Sequence, residues 1–101
     1  MVKNEYISVN QLVSQEAGNI VSDMDGEKVM LSIDNGKYYN LGELGGQIWE
    51  KIKEPLSILE LIHTLMAEYD VELNVCKEQV ISFLSLLLKE GLIKVEDKIN
   101  S

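Results

Sequence analysis

The residues that most often perform catalysis are scarce in this chain of 101 residues, which contains one histidine and one cysteine. His63 falls on the polar side of a predicted helix, so we expect it at the surface. Cys76 falls in the first turn of another predicted helix, where a helix dipole is able to lower a thiol pKa. No sequence pattern pairs the two as nucleophile and base. We therefore predict no catalytic residues and interpret Cys76 as a small, half-buried side chain.

The sequence contains no pattern typical of a metal site or of a phosphate-binding loop. One cysteine and one histidine are too few for a typical zinc site, and no acidic run has the spacing of a calcium loop. The segment 42–46 is rich in glycine, but it lacks the Lys-Ser/Thr pair of a phosphate-binding loop. We interpret its glycines as sites of close backbone packing. The sequence predicts no metal and no cofactor.

The balance of charge limits the partners. Seventeen acidic and nine basic residues give a net charge of −8, which opposes binding to nucleic-acid phosphates and to anionic membranes. It is compatible with a neutral or basic peptide. No apolar run is long enough to span a membrane, and the N-terminus has no hydrophobic signal core. A single cysteine excludes an internal disulfide and favours a cytoplasmic location.

The elements that must position any site change in type near residue 42. Before it, the patterns of Asn19–Met24, Glu27–Asp34 and Lys37–Leu41 predict strands. Asp25-Gly26 and Asn35-Gly36 between them are hairpin signals, and Asp25-Gly26 suits a type I′ turn. We predict a three-stranded antiparallel meander whose last strand is an edge.

The middle strand of this half has a clear pattern, whereas the N-terminal segment does not. The middle strand alternates, with Val29, Leu31 and Ile33 on its apolar face. Residues 1–18 are poorly defined, and the segment Tyr6–Gln15 is too irregular to place, although it is a candidate for a further strand.

After residue 42 the apolar period becomes helical. The sequence predicts a first helix over Glu43–Lys53, a second opened by a Ser57 capping box, and a third from an Asn74 N-cap to Glu90. Gly91 suits a left-handed cap at the end of the third helix, and Leu92–Val95 is a candidate terminal strand. The chain is thus predicted to be one α+β domain, 1–101, with a three-stranded antiparallel sheet followed by three helices.

The third helix is more apolar than a helix packed on one side needs to be. Its apolar positions are Val80, Ile81, Phe83, Leu84, Leu86, Leu87 and Leu88. They cover an arc of about 220°, roughly twice the usual stripe, and Leu86 lies at its rim. Either this is a central helix buried on two sides, or the flank with Phe83 and Leu86 lines a groove for a partner. DNA recognition is disfavoured because the helix offers only Lys77 and Lys89, and the chain has no arginine.

A series of short motifs between Val29 and Val95 resembles the PqqD-like family. The motifs are Val29–Ser32, Gly36–Leu41, Ile48–Glu50, Ser57 with Glu60-Leu61, Ala67–Val71, and Phe83-Leu84 with Leu87 and Gly91–Ile93. Within the family the chain is most similar to the stand-alone leader-recognition proteins of lasso-peptide clusters. Gly42 departs from the family, which often has asparagine there, so the start of the first helix is expected to be looser.

The resemblance implies a RiPP recognition element, a non-catalytic winged helix-turn-helix domain that binds a precursor's leader peptide. The peptide would lie between the third strand and the third helix, adding a strand to the sheet. The partners implied are the leader peptide and a transglutaminase-like cysteine protease that removes it, with the macrocyclase as a further candidate. The peptide-binding residues carried over are Lys37, Tyr38, Tyr39, Asn40 and Leu41 on the strand, and Gln79, Phe83, Leu86, Leu87 and Glu90 on the helix.

Two other interpretations of function stay open. The same domain would serve as a PqqD-like peptide chaperone in a radical-enzyme RiPP pathway, with a different partner and the same binding physics. A generic protein-interaction domain unrelated to RiPPs is the second. A neighbouring short precursor gene, a protease gene and a cyclase gene would favour the lasso-peptide interpretation.

Overall fold

The structure is a computed structural model and describes residues 7–97. It is an α+β fold with antiparallel sheets and three helices, as predicted. Its elements are β1 (Leu12–Gln15), β2 (Asn19–Met24), β3 (Glu27–Ser32), β4 (Lys37–Asn40), α1 (Gly42–Lys51), β5 (Leu56–Ser57), α2 (Ile58–Glu68), α3 (Leu73–Lys89) and β6 (Ile93–Glu96). Residues 1–6, part of the segment that the sequence left undefined, lie outside the described residues.

Strands β2, β3 and β4 form the predicted meander. Asp25 and Gly26 join β2 to β3 with φ values of 56° and 85°, which is the double positive φ of a type I′ turn. The second hairpin is also confirmed, but β3 ends at Ser32 and the loop is four residues long. The Gly36 N–H donates to the Ser32 carbonyl at 2.8 Å, so the loop closes one helical turn rather than a two-residue turn.

The face assignment of β3 was wrong. Met30 and Ser32 are buried, whereas Val29 and Leu31 are half-buried and Ile33 is 60% exposed. Helix α1 packs on the side of β3 that carries Lys28 and Met30, close enough that a Cβ on Gly46 would lie 2.6 Å from Lys28 Cγ. The alternation therefore had the expected period, but its more apolar face turns away from the core.

A second sheet, in the order β5-β1-β6, was not predicted as a unit. Leu12 on β1 lies opposite Ser57 on β5 and opposite Glu96 on β6. The further strand in the N-terminal segment and the terminal strand were both candidates from the sequence, and both are present. The two-residue strand β5 carries no pattern of its own, because its pairing depends on a partner more than forty residues away.

The ends of the helices follow local rules with one exception. Ser57 caps α2, its Oγ accepting from the Glu60 N–H at 3.0 Å. At the end of α3, Gly91 has φ 77° and the Leu92 N–H donates to the Leu87 carbonyl at 2.9 Å, which is a Schellman cap. The predicted Asn74 N-cap was wrong: the Cys76 N–H already donates to the Glu72 carbonyl, so Glu72 is the N-cap.

The core lies among the three helices and the inner faces of both sheets. Its buried apolar side chains are Val13, Met30, Leu41, Ile48, Trp49, Ile52, Ile58, Leu61, Ile62, Leu65, Cys76, Val80, Leu84, Leu87, Leu92 and Ile93. No helix within residues 7–97 is both long and apolar enough to cross a membrane.

Candidate peptide-binding cleft

Strand β4 is an edge of its sheet, as the meander predicted. The Leu41 N–H donates to the Lys28 carbonyl at 2.9 Å, in line with the register that pairs Met30 with Tyr39. Hydrogen-bonded pairs alternate along an antiparallel ladder. The main-chain N–H and C=O groups of Tyr38 and Asn40 therefore point away from β3, toward the open edge.

The predicted strand residues divide between two faces of the sheet. Tyr38 and Asn40 are on the outer face, where Tyr38 is 75% exposed and the Asn40 amide donates to Glu27 at 2.8 Å. The Asn40 Oδ1 also accepts from the Gly42 N–H at 3.0 Å, which supports the start of α1 where the sequence expected a weak cap. Leu41 is 8% exposed and belongs to the core. Its side chain therefore packs beneath the sheet and is not available to contact a peptide at the β4 edge.

The inner face of β4 is tied to the end of α3 by a polar cluster, the latch, which consists of Asn35, Lys37, Tyr39 and Glu90. The Tyr39 hydroxyl donates to Glu90 Oε1 at 2.7 Å, and the Asn35 amide donates to the Glu90 carbonyl at 3.0 Å. Lys37 Nζ lies 3.7 Å from the same carboxylate. The hydrogen bond from Tyr39, followed by the charge of Lys37, lowers the pKa of Glu90.

The helix side of the site is an open groove. Its volume is about 640 Å³, and Phe83 and Leu86 line it together with Leu44 and Gln79. Leu86 is 55% exposed, whereas Phe83 is half-buried and also packs against the core, so this flank of α3 is only partly covered. Leu87 differs from the expectation: it is 2% exposed, because its position on the helix faces the core and the Schellman cap. We call the space between the β4 edge and this groove the cleft.

Phe83 reaches the cleft because α1 has no side chain at Gly45. A Cβ at that position would lie 2.8 Å from Phe83 Cζ, closer than van der Waals contact permits. This is the close packing that the glycine-rich segment predicted. The absence of a side chain at Gly45 therefore determines how closely the Phe83 ring packs against α1.

A second cavity of about 280 Å³, the end pocket, adjoins the cleft. It is lined by Glu43, Leu44, Leu65, Tyr69, Val71, Cys76 and Gln79. Leu44 and Gln79 line both spaces, so the two lie side by side. No sequence pattern indicated the end pocket, because its walls come from α1, the end of α2, the following loop and the start of α3.

The structure offers no activated nucleophile at Cys76. Its side chain is buried, with Sγ 3.8 Å from the Ile62 carbonyl, and burial raises the pKa of the thiol. The interpretation of Cys76 as a small structural side chain fits this position, although the side chain is more deeply buried than the sequence suggested. His63 is exposed on α2, as predicted. Within residues 7–97, no group of three His, Cys, Asp or Glu side chains is placed to hold a metal ion.

Within residues 7–97 no further strand pairs with the β4 edge, and the helix tied to this strand carries an apolar groove. Such an edge and groove define a class of small α+β domains suited to holding an extended chain. The sequence profile described as Coenzyme PQQ synthesis protein D (PqqD) matches residues 27–93, so this chain belongs to the PqqD family.

Comparison with solved structures supports the same assignment. TbiB1, determined in complex with the TbiA(beta) leader peptide, superposes with a TM-score of 0.72 at 25% sequence identity. The likeness covers 80% of this chain and 94% of TbiB1. No curated protein matches this sequence significantly.

Proposed function

We propose that this protein binds the leader peptide of a ribosomally synthesised lasso precursor in the cleft, by strand addition to β4. The observation that carries the proposal is the open β4 edge, which the Tyr39–Glu90 hydrogen bond ties to the end of α3, the helix that carries the apolar groove. Membership of the PqqD family and the likeness to TbiB1, which was solved with a leader peptide, support it.

The proposed contacts follow from the geometry of an added strand. The main chain of the peptide pairs with Tyr38 and Asn40, and every second side chain points inward to Phe83 and Leu86. Gln79 lies at one end of this path. At the other end are Lys37, Tyr39 and Glu90, whose side chains already bond each other in the latch. We therefore assign these three to shaping the cleft, with main-chain pairing as the source of affinity at β4.

The protein supplies recognition and leaves chemistry to a partner. The buried Cys76 and the exposed His63 give it no paired nucleophile and base, and family resemblance implies a separate transglutaminase-like cysteine protease that removes the leader. The macrocyclase is a further proposed partner. The turn of residues 69–72 that joins α2 to α3 supports our proposal that the arrangement is a winged helix-turn-helix.

Calorimetry with a synthetic leader peptide tests the proposal. We expect one peptide per protein and a gain of β structure on binding. Single N-methylation of the peptide backbone should abolish binding at alternate residues only, because only alternate N–H groups of an added strand face β4. Equal tolerance at every position, or no binding at tens of micromolar protein, would rule out strand addition. Purified protein should also leave a full-length precursor uncut.

One observation favours a second candidate. The matching profile carries the name of a coenzyme PQQ synthesis protein, and a peptide chaperone of a radical-enzyme RiPP pathway would use the same cleft. The two functions differ in the partner. Binding of the leader-loaded protein to a cysteine protease supports the lasso pathway, and binding to a radical enzyme supports the alternative.

A further inference from the structure

The path available to a bound peptide is longer than the β4 edge. From Glu90 to Cys76, α3 rises by about 21 Å, which an extended chain spans with about six or seven residues. β4 has four residues. The end pocket adjoins the cleft at Leu44 and Gln79, so it is the apolar space nearest to the remaining residues of the peptide.

The two ends of this path differ in charge. At the latch end, the carboxylate of Glu90 is met by Lys37 and by the Tyr39 hydroxyl. At the other end, Glu43 lines the end pocket and Glu78 lines the cleft. Within residues 7–97 neither of these two glutamates has an ion-pair partner, whereas Lys28, Lys37, Lys51 and Lys53 are all paired with other carboxylates.

We infer that the peptide accepted by this site carries a lysine or arginine beside the bulky apolar side chain that enters the end pocket. The apolar walls of Leu44, Leu65 and Val71 take this apolar side chain. The cationic group then lies at the mouth, between Glu43 and Glu78. The inference rests on the proposed function and adds to it the class of peptide selected.

Other occupants fit the same surface less well. A polyanion is opposed by the two glutamates and by the net charge of −8. A second copy of this chain would bring the same acidic charge to an acidic rim, and like charges across an interface cost free energy. A cationic peptide is the partner for which the charges and the apolar lining agree.

The test begins from a phage-displayed library of random peptides long enough to span the cleft and the end pocket, so that no leader sequence is assumed. Selection on the wild-type protein should enrich peptides with lysine or arginine next to a bulky apolar residue. One enriched peptide and its Lys→Gln form are then measured by fluorescence anisotropy against the wild type and the Glu43→Gln/Glu78→Gln variant.

We expect the double variant to bind the enriched peptide about 3- to 20-fold more weakly, as two partly exposed ion pairs predict. The Lys→Gln peptide should lose a similar factor on the wild type and little more on the variant. The matched control is Glu54→Gln/Glu60→Gln, which changes the net charge equally at exposed positions outside the site. It should change affinity less than about twofold.

The outcomes separate this inference from the proposed function. Enriched peptides that bind β4 but are neutral or acidic, or a double variant that behaves like its control, overturn the charge inference and leave peptide binding intact. A library that yields no binder overturns both.

Discussion

The latch shows how single side chains define the cleft. Tyr39 and Lys37, both on β4, contact the carboxylate of Glu90 at the end of α3. Asn35, in the loop before β4, donates to the Glu90 carbonyl and to the Tyr39 hydroxyl. The cluster therefore closes one end of the cleft and holds the strand at a fixed distance from the helix. Leu86, one turn back along α3, is left exposed beside the opening.

Tyr39→Phe removes the hydroxyl that donates to Glu90 and should lower stability in a pH-dependent way. The pKa of Glu90 is lowered in the folded state, so its contribution is present above the unfolded pKa of about 4.3 and is lost as pH falls through the folded value. Thermal melts should show the wild type more stable than Tyr39→Phe at neutral pH, with the gap narrowing as the pH falls below about 4.3. A gap that is constant across this range would show that the bond to Glu90 does not lower its pKa.

Leu86→Lys distinguishes a groove from a core. Because Leu86 is largely exposed, the change should cost no more than about 0.5–1 kcal/mol of stability. In the complex the lysine would lose hydration beside an apolar side chain of the peptide. Binding should therefore weaken by roughly 1–3 kcal/mol, or about 5- to 150-fold, as measured by calorimetry.

Leu84→Lys is the control on the same helix. Leu84 is fully buried, so a lysine there should unfold the domain. If Leu86→Lys melts like Leu84→Lys, the extra apolar arc is core; if it is stable and binds the leader normally, the peptide lies elsewhere.

At the scale of elements, α1 and α3 set the width of the cleft through one close approach. Gly45 lets Phe83 pack against α1, and Phe83 in turn lines the apolar groove. The position of the ring is thus a property of two helices and not of Phe83 alone.

Gly45→Ala should push the Phe83 ring toward the open side and weaken peptide binding several-fold. Its effect on stability should be small, within about 1 kcal/mol, because the gain in helix propensity offsets the displaced ring. A double-mutant cycle with Phe83→Leu checks the cause. The shorter leucine leaves room for the new methyl group, so the two changes should couple by about 0.5–1.5 kcal/mol. Additive effects would mean that Gly45 acts by another route.

The elements set by local chemistry were predictable from the sequence. The Asp25-Gly26 turn, the Ser57 cap and the Gly91 cap each depend on a few neighbouring residues whose conformational preferences decide the backbone. The open β4 edge followed from the two hairpins, and the exposure of Leu86 followed from its place at the rim of the apolar arc.

The features that could not be predicted from the sequence depend on contacts between distant segments. The pairing of Leu12 with Ser57 creates β5, and the end pocket needs α1, α2 and α3 together. The period of β3 was evident, but both of its faces carry apolar residues, so the period alone did not decide which face α1 covers. Because α1 covers the face that carries Met30, the outer face of the meander exposes Ile20, Met24 and Tyr38.

For the whole molecule, charge and shape favour the same class of partner. A net charge of −8 on 101 residues gives a negative field, and the apolar cleft lies within it. The helices α2 and α3 are joined by a short turn, as in many DNA-binding domains, but this field opposes the phosphate backbone.

Duplex DNA should therefore not bind at physiological salt. Fluorescence anisotropy with a labelled duplex should show no saturable signal at micromolar protein, because no counterion release is available to an acidic surface. The leader peptide serves as the positive control in the same buffer. Saturable micromolar binding of the duplex would contradict the interpretation of the charge.

The pairing of β1 with β6 brings the first and last strands of residues 7–97 together. Leu12 lies opposite Glu96, and the Gln11 amide donates to Asp97 Oδ1 at 2.9 Å. A unit whose first and last strands are paired in this way can be inserted into a surface loop of a host protein without stretching either one. Grafted in this way onto an unrelated enzyme, the domain would give that enzyme a tethered docking module for any substrate that carries the matching peptide tag.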